Sequence, residues 1–190
     1  MVRMTTRPTS AYAPDLSVRA MAIEDCEAVA TIRVRGWQAA YTGLIPQAYL
    51  DAMDIAEDAQ RRRGFFAERN TVVNVVAERP GPGLIGWACY GPYRADGRRL
   101  ARGELYAIYV LPEQRGTGVV RALMAEILAR SAADGFPDLS LWVLKENAPA
   151  RRFYERAGFA PDGVEEPFRV GGVLVPEVRY VRPLSPPAAG

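Results

Sequence analysis

Glu104-Leu-Tyr-Ala-Ile-Tyr-Val-Leu-Pro-Glu-Gln-Arg-Gly-Thr-Gly-Val-Val-Arg-Ala-Leu123 is the stretch that decides the fold. Leu105 to Leu111 is nearly all apolar or aromatic, the pattern of a central strand covered on both faces, and Pro112 ends it. From Val119 to Ala133 the apolar positions Val120, Leu123, Met124, Ile127 and Leu128 form one helical face, while Arg121, Glu126 and Arg130 take the other. Strand and helix are joined by Arg115-Gly116-Thr117-Gly118-Val119-Val120. Glycines let backbone amides approach a ligand closely, and the first-turn amides of a helix have no intrahelical acceptor. A pyrophosphate accepts from several such amides and gains from the helix dipole. Arg115 adds a charged hydrogen bond to it or closes the loop. The spacing alone leaves two readings, a phosphate cradle or a plain turn with a cap. It is neither a P-loop, which ends in Lys-Ser/Thr, nor a dinucleotide fingerprint, since no GxGxxG is present.

Toward the N-terminus, Leu84 to Tyr90 and Thr71 to Ala77 are β-rich runs joined by Pro80-Gly81-Pro82-Gly83, which predicts a hairpin. Asp96-Gly97 reads as a mobile, basic loop before the central strand. Further back, Gln47 to Met53 starts a helical region that Asp58 to Ala67 continues. Val29, Ile32, Val34, Trp37 and Ala40 support an earlier helix that begins near Glu24-Asp25, after a short strand over 16–20. Toward the C-terminus come a strand over 139–144, Asn147 as N-cap, Pro149 in the first turn and a helix ending near Gly158. Gly171-Gly172 then separates Phe168-Arg169-Val170 from 173–181 in a closing hairpin. The order is strand, two helices, three strands, helix, strand, helix, two strands. That mixture predicts an α/β or α+β sheet with helices on both faces.

At 190 residues one substantial core is expected. The sequence is 49% apolar and 24% charged, which argues for a globular chain rather than a disordered one. Residues 1–15, with Pro8 and Pro14, and residues 185–190 read as flexible tails. No apolar run approaches the roughly 20 residues needed to cross a bilayer, and no secretory h-region is present, so no membrane partner and a cytoplasmic location are the default expectations. A net charge of +2 gives no case for nucleic acid. Arg61-Arg62-Arg63 and Arg94, Arg98, Arg99 and Arg102 are basic patches that read as solvated surface, without the interleaved aromatics that stack bases. Cys26 and Cys89 read as buried small residues and imply no metal. The sequence contains no histidine, which excludes Ser-His-Asp and Cys-His catalysis. An enzyme built on this chain must move protons with a carboxylate, a tyrosine, a terminal amine or water.

The decisive stretch resembles the acetyl-CoA-binding core of the GNAT family of N-acetyltransferases. Leu141-Trp-Val-Leu-Lys-Glu-Asn147-Ala-Pro-Ala150-Arg-Arg-Phe153-Tyr154-Glu155-Arg-Ala-Gly158-Phe159 is similar to that family's next strand and helix. Trp37-Gln-Ala-Ala-Tyr41-Thr-Gly43-Leu-Ile-Pro46 is similar to an N-terminal form common in its bacterial members. The resemblance runs over 16–184 and implies a single GNAT-like domain whose mixed sheet has about six to seven strands. It departs at one point: the pattern Arg/Gln-x-x-Gly-x-Gly/Ala falls on Arg115, Gly118 and Val120, so valine replaces the last small residue.

The resemblance implies transfer of an acetyl group from acetyl-CoA, without a metal, to a primary amine of a small molecule or protein in a ternary complex. Three tasks follow: placing the thioester, deprotonating the amine and neutralising the thiolate. The matching cofactor positions are the main chain of Ile108, Tyr109 and Val110, the turn Arg115, Gly116, Thr117, Gly118, Val119 and Val120, and Asn147, which also suits an N-cap. Tyr154 matches the family tyrosine that faces the CoA sulfur as general acid. Glu104, at the start of the central strand, is the candidate base. Strand alternation puts it on the side of Tyr106 and Ile108 unless a bulge intervenes. Trp37 and Tyr41, four apart on a helix, and Tyr90 with Tyr93 opposite them, are candidate walls for the acceptor. The alternatives are a non-catalytic acyl-CoA-binding module, such as a sensor or toxin-neutralising protein, and use of another donor such as succinyl-CoA, to which the arginines over 94–102 are suited. An edge strand or the Gly171-Gly172 hairpin offers a surface for a homodimer, with a monomer as the other expectation.

Overall fold

From Leu105 to Val110 the side chains of β4 (Arg98–Val110) leave toward two apolar layers, which is why this part of its sequence shows no polar alternation. In the computed structural model, which describes residues 15–68, 71–95 and 98–184, the other strands are β1 (Ser17–Ala20), β2 (Val73–Arg79), β3 (Gly83–Ala95), β5 (Asp138–Leu144), β6 (Ala160–Val170) and β7 (Val173–Pro183). They form one mixed sheet in the order β1-β2-β3-β4-β5-β7-β6, with β4 and β5 parallel and every other pair antiparallel. The helices are α1 (Cys26–Tyr41), α2 (Gln47–Asp51), α3 (Ile55–Ala67), α4 (Val119–Ala133) and α5 (Ala148–Arg156). Leu105, Ile108 and Val110 join the layer that holds α4 and α5. Tyr106, Ala107 and Tyr109 join the layer under α1.

Both sets are compatible with one strand only because β4 is bulged. Tyr90 of β3 pairs with Leu105 and Cys89 with Ala107, so Tyr106 is an extra residue without a partner. The bulge turns Tyr106 and Ala107 to the same side. The parity expectation is corrected accordingly: Glu104 shares its side with Tyr106, and Ile108 faces the opposite layer.

On its other edge β4 pairs with β5 only at Gly103↔Leu139 and Glu104↔Ser140, after which the two strands part. Gly103 makes the approach at this junction feasible, since a Cβ there would stand 2.9 Å from Leu139 Cδ1 and 3.2 Å from the Asp138 carbonyl. Ser140 Oγ donates to the Gly103 carbonyl at 2.9 Å and fixes the junction. The parting of the strands opens the cleft described below.

The helical region expected to run on from Gln47 is two helices, because the Asp54 side chain accepts from Glu57 N at 2.8 Å and caps a new one. The basic loop around Asp96-Gly97 is much shorter than expected, since β3 runs to Ala95 and β4 starts at Arg98; Asp96 and Gly97 themselves lie outside the described residues. So do the side chains of Arg98 and Arg99 and, except for Asp15, the two tails. Cys26 and Cys89 are buried thiols. No helix among the described residues is long and apolar enough to cross a membrane.

Candidate active site

A cavity of about 730 Å³ occupies the gap between β4 and β5. One end lies against the start of α4. Gly118, at φ 89°, precedes that helix in the left-handed region that favours glycine, and no side chain caps it. The amides of Gly116, Gly118, Val119 and Val120 have no acceptor among the described residues. Arg115 N and Thr117 N are consumed within the turn, donating to the Pro112 carbonyl at 3.2 Å and the Gln114 carbonyl at 3.4 Å. Four of the six amides from Arg115 to Val120 are thus open to an anion, a set of donors that fits a pyrophosphate. Val120 lines the cavity while packing on the core under α4. Along the wall, the edge of β4 from Leu105 to Val110 has no ladder with β5, so its main chain is available to an amide-bearing ligand arm.

Asn147 caps α5, its Oδ1 accepting from Ala150 N at 3.2 Å. Its side-chain Nδ2 has no acceptor among the described residues, and the residue lines the cavity, so cap and ligand contact are compatible. The α5 residue Tyr154 also lines the cavity, with Phe153 at 5.3 Å and Phe159 at 6.1 Å edge-on to its ring. Its hydroxyl has no hydrogen-bond partner among the described residues. Burial raises its pKa, and the neighbouring Tyr41 phenol adds to the rise, so Tyr154 stays protonated at neutral pH. Across the cleft the Tyr41 and Tyr109 hydroxyls lie 3.2 Å apart. Tyr109 is therefore held by a polar contact as well as by the core.

Glu104 reaches the cavity from the α1 side of the sheet. Its Oε2 accepts from Arg94 N at 3.2 Å. Burial raises its pKa, and the contact with Arg94 only partly opposes the rise. A second carboxylate, Glu177 of β7, lines the same cavity. Its pKa is pushed up to about 7 by burial first, then by the charges of Glu166 and Glu104. Glu177 lies opposite Glu166 in one ladder and Leu144 in the other. No sequence motif marks Glu177, and only the β5-β7-β6 pairing brings it to Glu104. Trp142, Phe153 and Phe168 are further lining residues that the sequence reading did not single out.

Trp37 and Tyr41 line the cavity and meet edge-on at 4.9 Å, as their spacing predicts, while also packing on a small core of Ile45, Leu50, Leu144 and Val170. Tyr90 does not join them. Its place in β3 turns it to the α4 layer, where it is buried and its hydroxyl donates to Asp134 Oδ2 at 2.7 Å. Tyr93 is buried as well, accepting from Arg179 Nη1 at 2.9 Å, and does not line the cleft. The expectation of an opposite wall formed by these tyrosines is corrected: the further lining here is Phe168, edge-on to Trp37 at 6.4 Å, and Glu177.

The model of the acetyltransferase (GNAT) family matches residues 32–159. An uncharacterized N-acetyltransferase, YuaI, of Bacillus subtilis is 31% identical over 164 residues, covering 86% of this chain and 90% of the relative. A mycothiol acetyltransferase of Kocuria rhizophila is 34% identical over 104 residues, which cover 54% of this chain and 34% of that protein, so the chain spans about a third of it. Among solved structures, PaiA N-acetyltransferase of Thermoplasma acidophilum in complex with coenzyme A superposes with a TM-score of 0.70 at 18% identity, over 88% of this chain and 98% of the other. YncA of Salmonella typhimurium with its cofactor acetyl-CoA gives 0.65 at 19% identity, over 92% and 97% of the two chains. At these identities the structural likeness establishes the fold.

Proposed function

We propose, since the chain belongs to the acetyltransferase (GNAT) family, that its cleft carries an acetyl group from acetyl-CoA to a primary amine while both are bound. The observation that carries this reading is that Glu104 and Tyr154 enter one cavity from opposite faces of the sheet, through the gap where β4 leaves β5. When bound, acetyl-CoA supplies a thioester whose acetyl carbon is open to attack. The open amides from Gly116 to Val120 grip its phosphates, and the unladdered edge of β4 and Asn147 align its arm. Glu104 takes a proton from the amine, whose nitrogen bonds to the acetyl carbon as the carbon–sulfur bond breaks. Tyr154 donates its hydroxyl proton to the departing sulfur, so amide and thiol leave with atoms and charge in balance. The acetyltransferase unit in this reading spans 16–184, the range from which every strand of the sheet is drawn.

The test is thiol release from acetyl-CoA by the purified protein over a panel of primary amines, with acetyl-CoA binding measured in parallel. Amine-dependent release is expected. Tight acetyl-CoA binding without release for any amine favours the non-catalytic acyl-CoA-binding module instead.

A further inference from the structure

A second cavity, of about 950 Å³, lies under α3 against β2, β3 and β4, and Tyr106 lines both it and the cleft. Its floor carries two half-buried guanidiniums and one carboxylate. Arg62 Nε lies 2.7 Å and Arg33 Nη1 2.8 Å from the two oxygens of Asp58, which is itself 5% exposed. Arg62 lies 4.1 Å over the Trp87 ring, and Arg94 4.1 Å over Tyr106. Among the described residues Arg94 has no carboxylate within ion-pair distance, and Asp58 is the only ion-pair partner of both Arg33 and Arg62. Asp54, Glu57 and Glu68 line the cavity at its exposed rim, where water screens them. All three arginines line this cavity together with Cys89, and against the larger upward push of burial each draws the Cys89 thiol pKa downward. Arg33 and Arg62 thus bring one more positive charge than Asp58 neutralises, in a partly desolvated setting where an unmatched charge is costly, and the exposed Arg94 adds to it from the rim. Planar guanidiniums stacked on aromatic rings are suited to a carboxylate or phosphate.

We propose that this cavity receives the anionic end, carboxylate or phosphate, of the acceptor whose amine lies at Glu104. The substrate class is then a primary amine that carries its own anion. The link between the two ends is short, because Arg94 donates its backbone amide to Glu104 while its side chain covers Tyr106. This inference rests on the amine-acetylation reading above.

The experiment uses matched amines: butylamine against 4-aminobutyrate, and ethanolamine against O-phosphoethanolamine. Each is titrated calorimetrically into the protein saturated with coenzyme A, then assayed for thiol release with acetyl-CoA. The anionic member of at least one pair is expected to bind about tenfold more tightly than the neutral one, and the pair that shows it identifies the anion. Arg62→Gln and Arg94→Gln should each shrink that preference. Arg62→Gln also loosens the buried Asp58, so Arg94→Gln, an exposed residue outside that ion pair, decides. Equal titration within both pairs, or a preference left whole by Arg94→Gln, overturns the proposal. Thiol release with neutral amines alone would then leave acetyl transfer standing. Arg94-dependent anion binding without release for any amine would uphold the cavity and sink the catalytic reading.

Discussion

Tyr154 and Glu104 divide the proton work according to their surroundings. A buried phenol without a hydrogen-bond partner holds its proton until a sulfur anion forms beside it, and a partly buried carboxylate is a stronger base than an exposed one. Tyr154→Phe keeps the ring and its edge contacts, so turnover should fall by about 10²–10⁴-fold while acetyl-CoA affinity, read by calorimetry, changes little. Unchanged turnover with lost stability would reject the acid role. Glu104→Gln should lower turnover on the same scale. In the wild type the base works only when ionised, so kcat/KM should fall as pH drops through a value above the ordinary carboxylate range. The Gln variant should lose that limb. That Glu104, Asn147 and Tyr154 would line one cleft was legible because each sits at a fixed place in a local motif. Glu177 was not, because its importance lies in which strand stands beside it.

At the level of elements, the strand–turn–helix was readable from the switch between a continuous apolar run and a helical face. The bulge at Tyr106 was not, since it is set by the register of β3 against β4 and no glycine marks it. Nor was the break between α2 and α3, where a single capping aspartate outweighs continuous helical pattern. Two substitutions test how these elements build the cleft. Val120→Ala removes branches that line the cavity at the start of α4, so acetyl-CoA should bind more tightly, with a stability change of no more than about 1 kcal/mol because the residue is only partly buried. Weaker binding would show that Val120 supports the helix start rather than crowding the ligand. Gly103→Ala forces a Cβ against Leu139 and the Asp138 carbonyl where β4 and β5 last touch. A loss of about 1–3 kcal/mol in denaturant unfolding is expected, together with weaker acetyl-CoA binding as the strands part earlier.

Over the whole molecule, the strand order sets one acidic centre, because β5 stands between β4 and β7, and β7 pairs with β6 on its far side. Glu104, Glu166 and Glu177, distant in sequence, thereby come within electrostatic range. This arrangement costs stability, in a direction that can be worked out. Glu177 has a folded pKa of about 7, above the ordinary glutamate value of 4.5, so the folded state holds its proton more firmly than the unfolded chain. The resulting stabilisation is complete below the ordinary value and is lost as pH rises through about 7. Asp25 acts oppositely: the Arg19 hydrogen bond lowers its pKa, and its contribution is lost only in acid. Because the sequence contains no histidine, few other groups titrate between these ranges. Thermal unfolding should therefore show Tm falling between about pH 5 and 7.5, and Glu177→Gln should flatten that fall. At pH 8 the variant should be the more stable protein by about 1–2 kcal/mol once solvent screening of the partly exposed carboxylate is discounted. An ammonium-bearing acceptor bound at this centre should do what the substitution does, raising the wild-type Tm more at pH 8 than at pH 5. A pH-independent Tm in the wild type would mean that these carboxylates are solvated and that the centre carries no such charge.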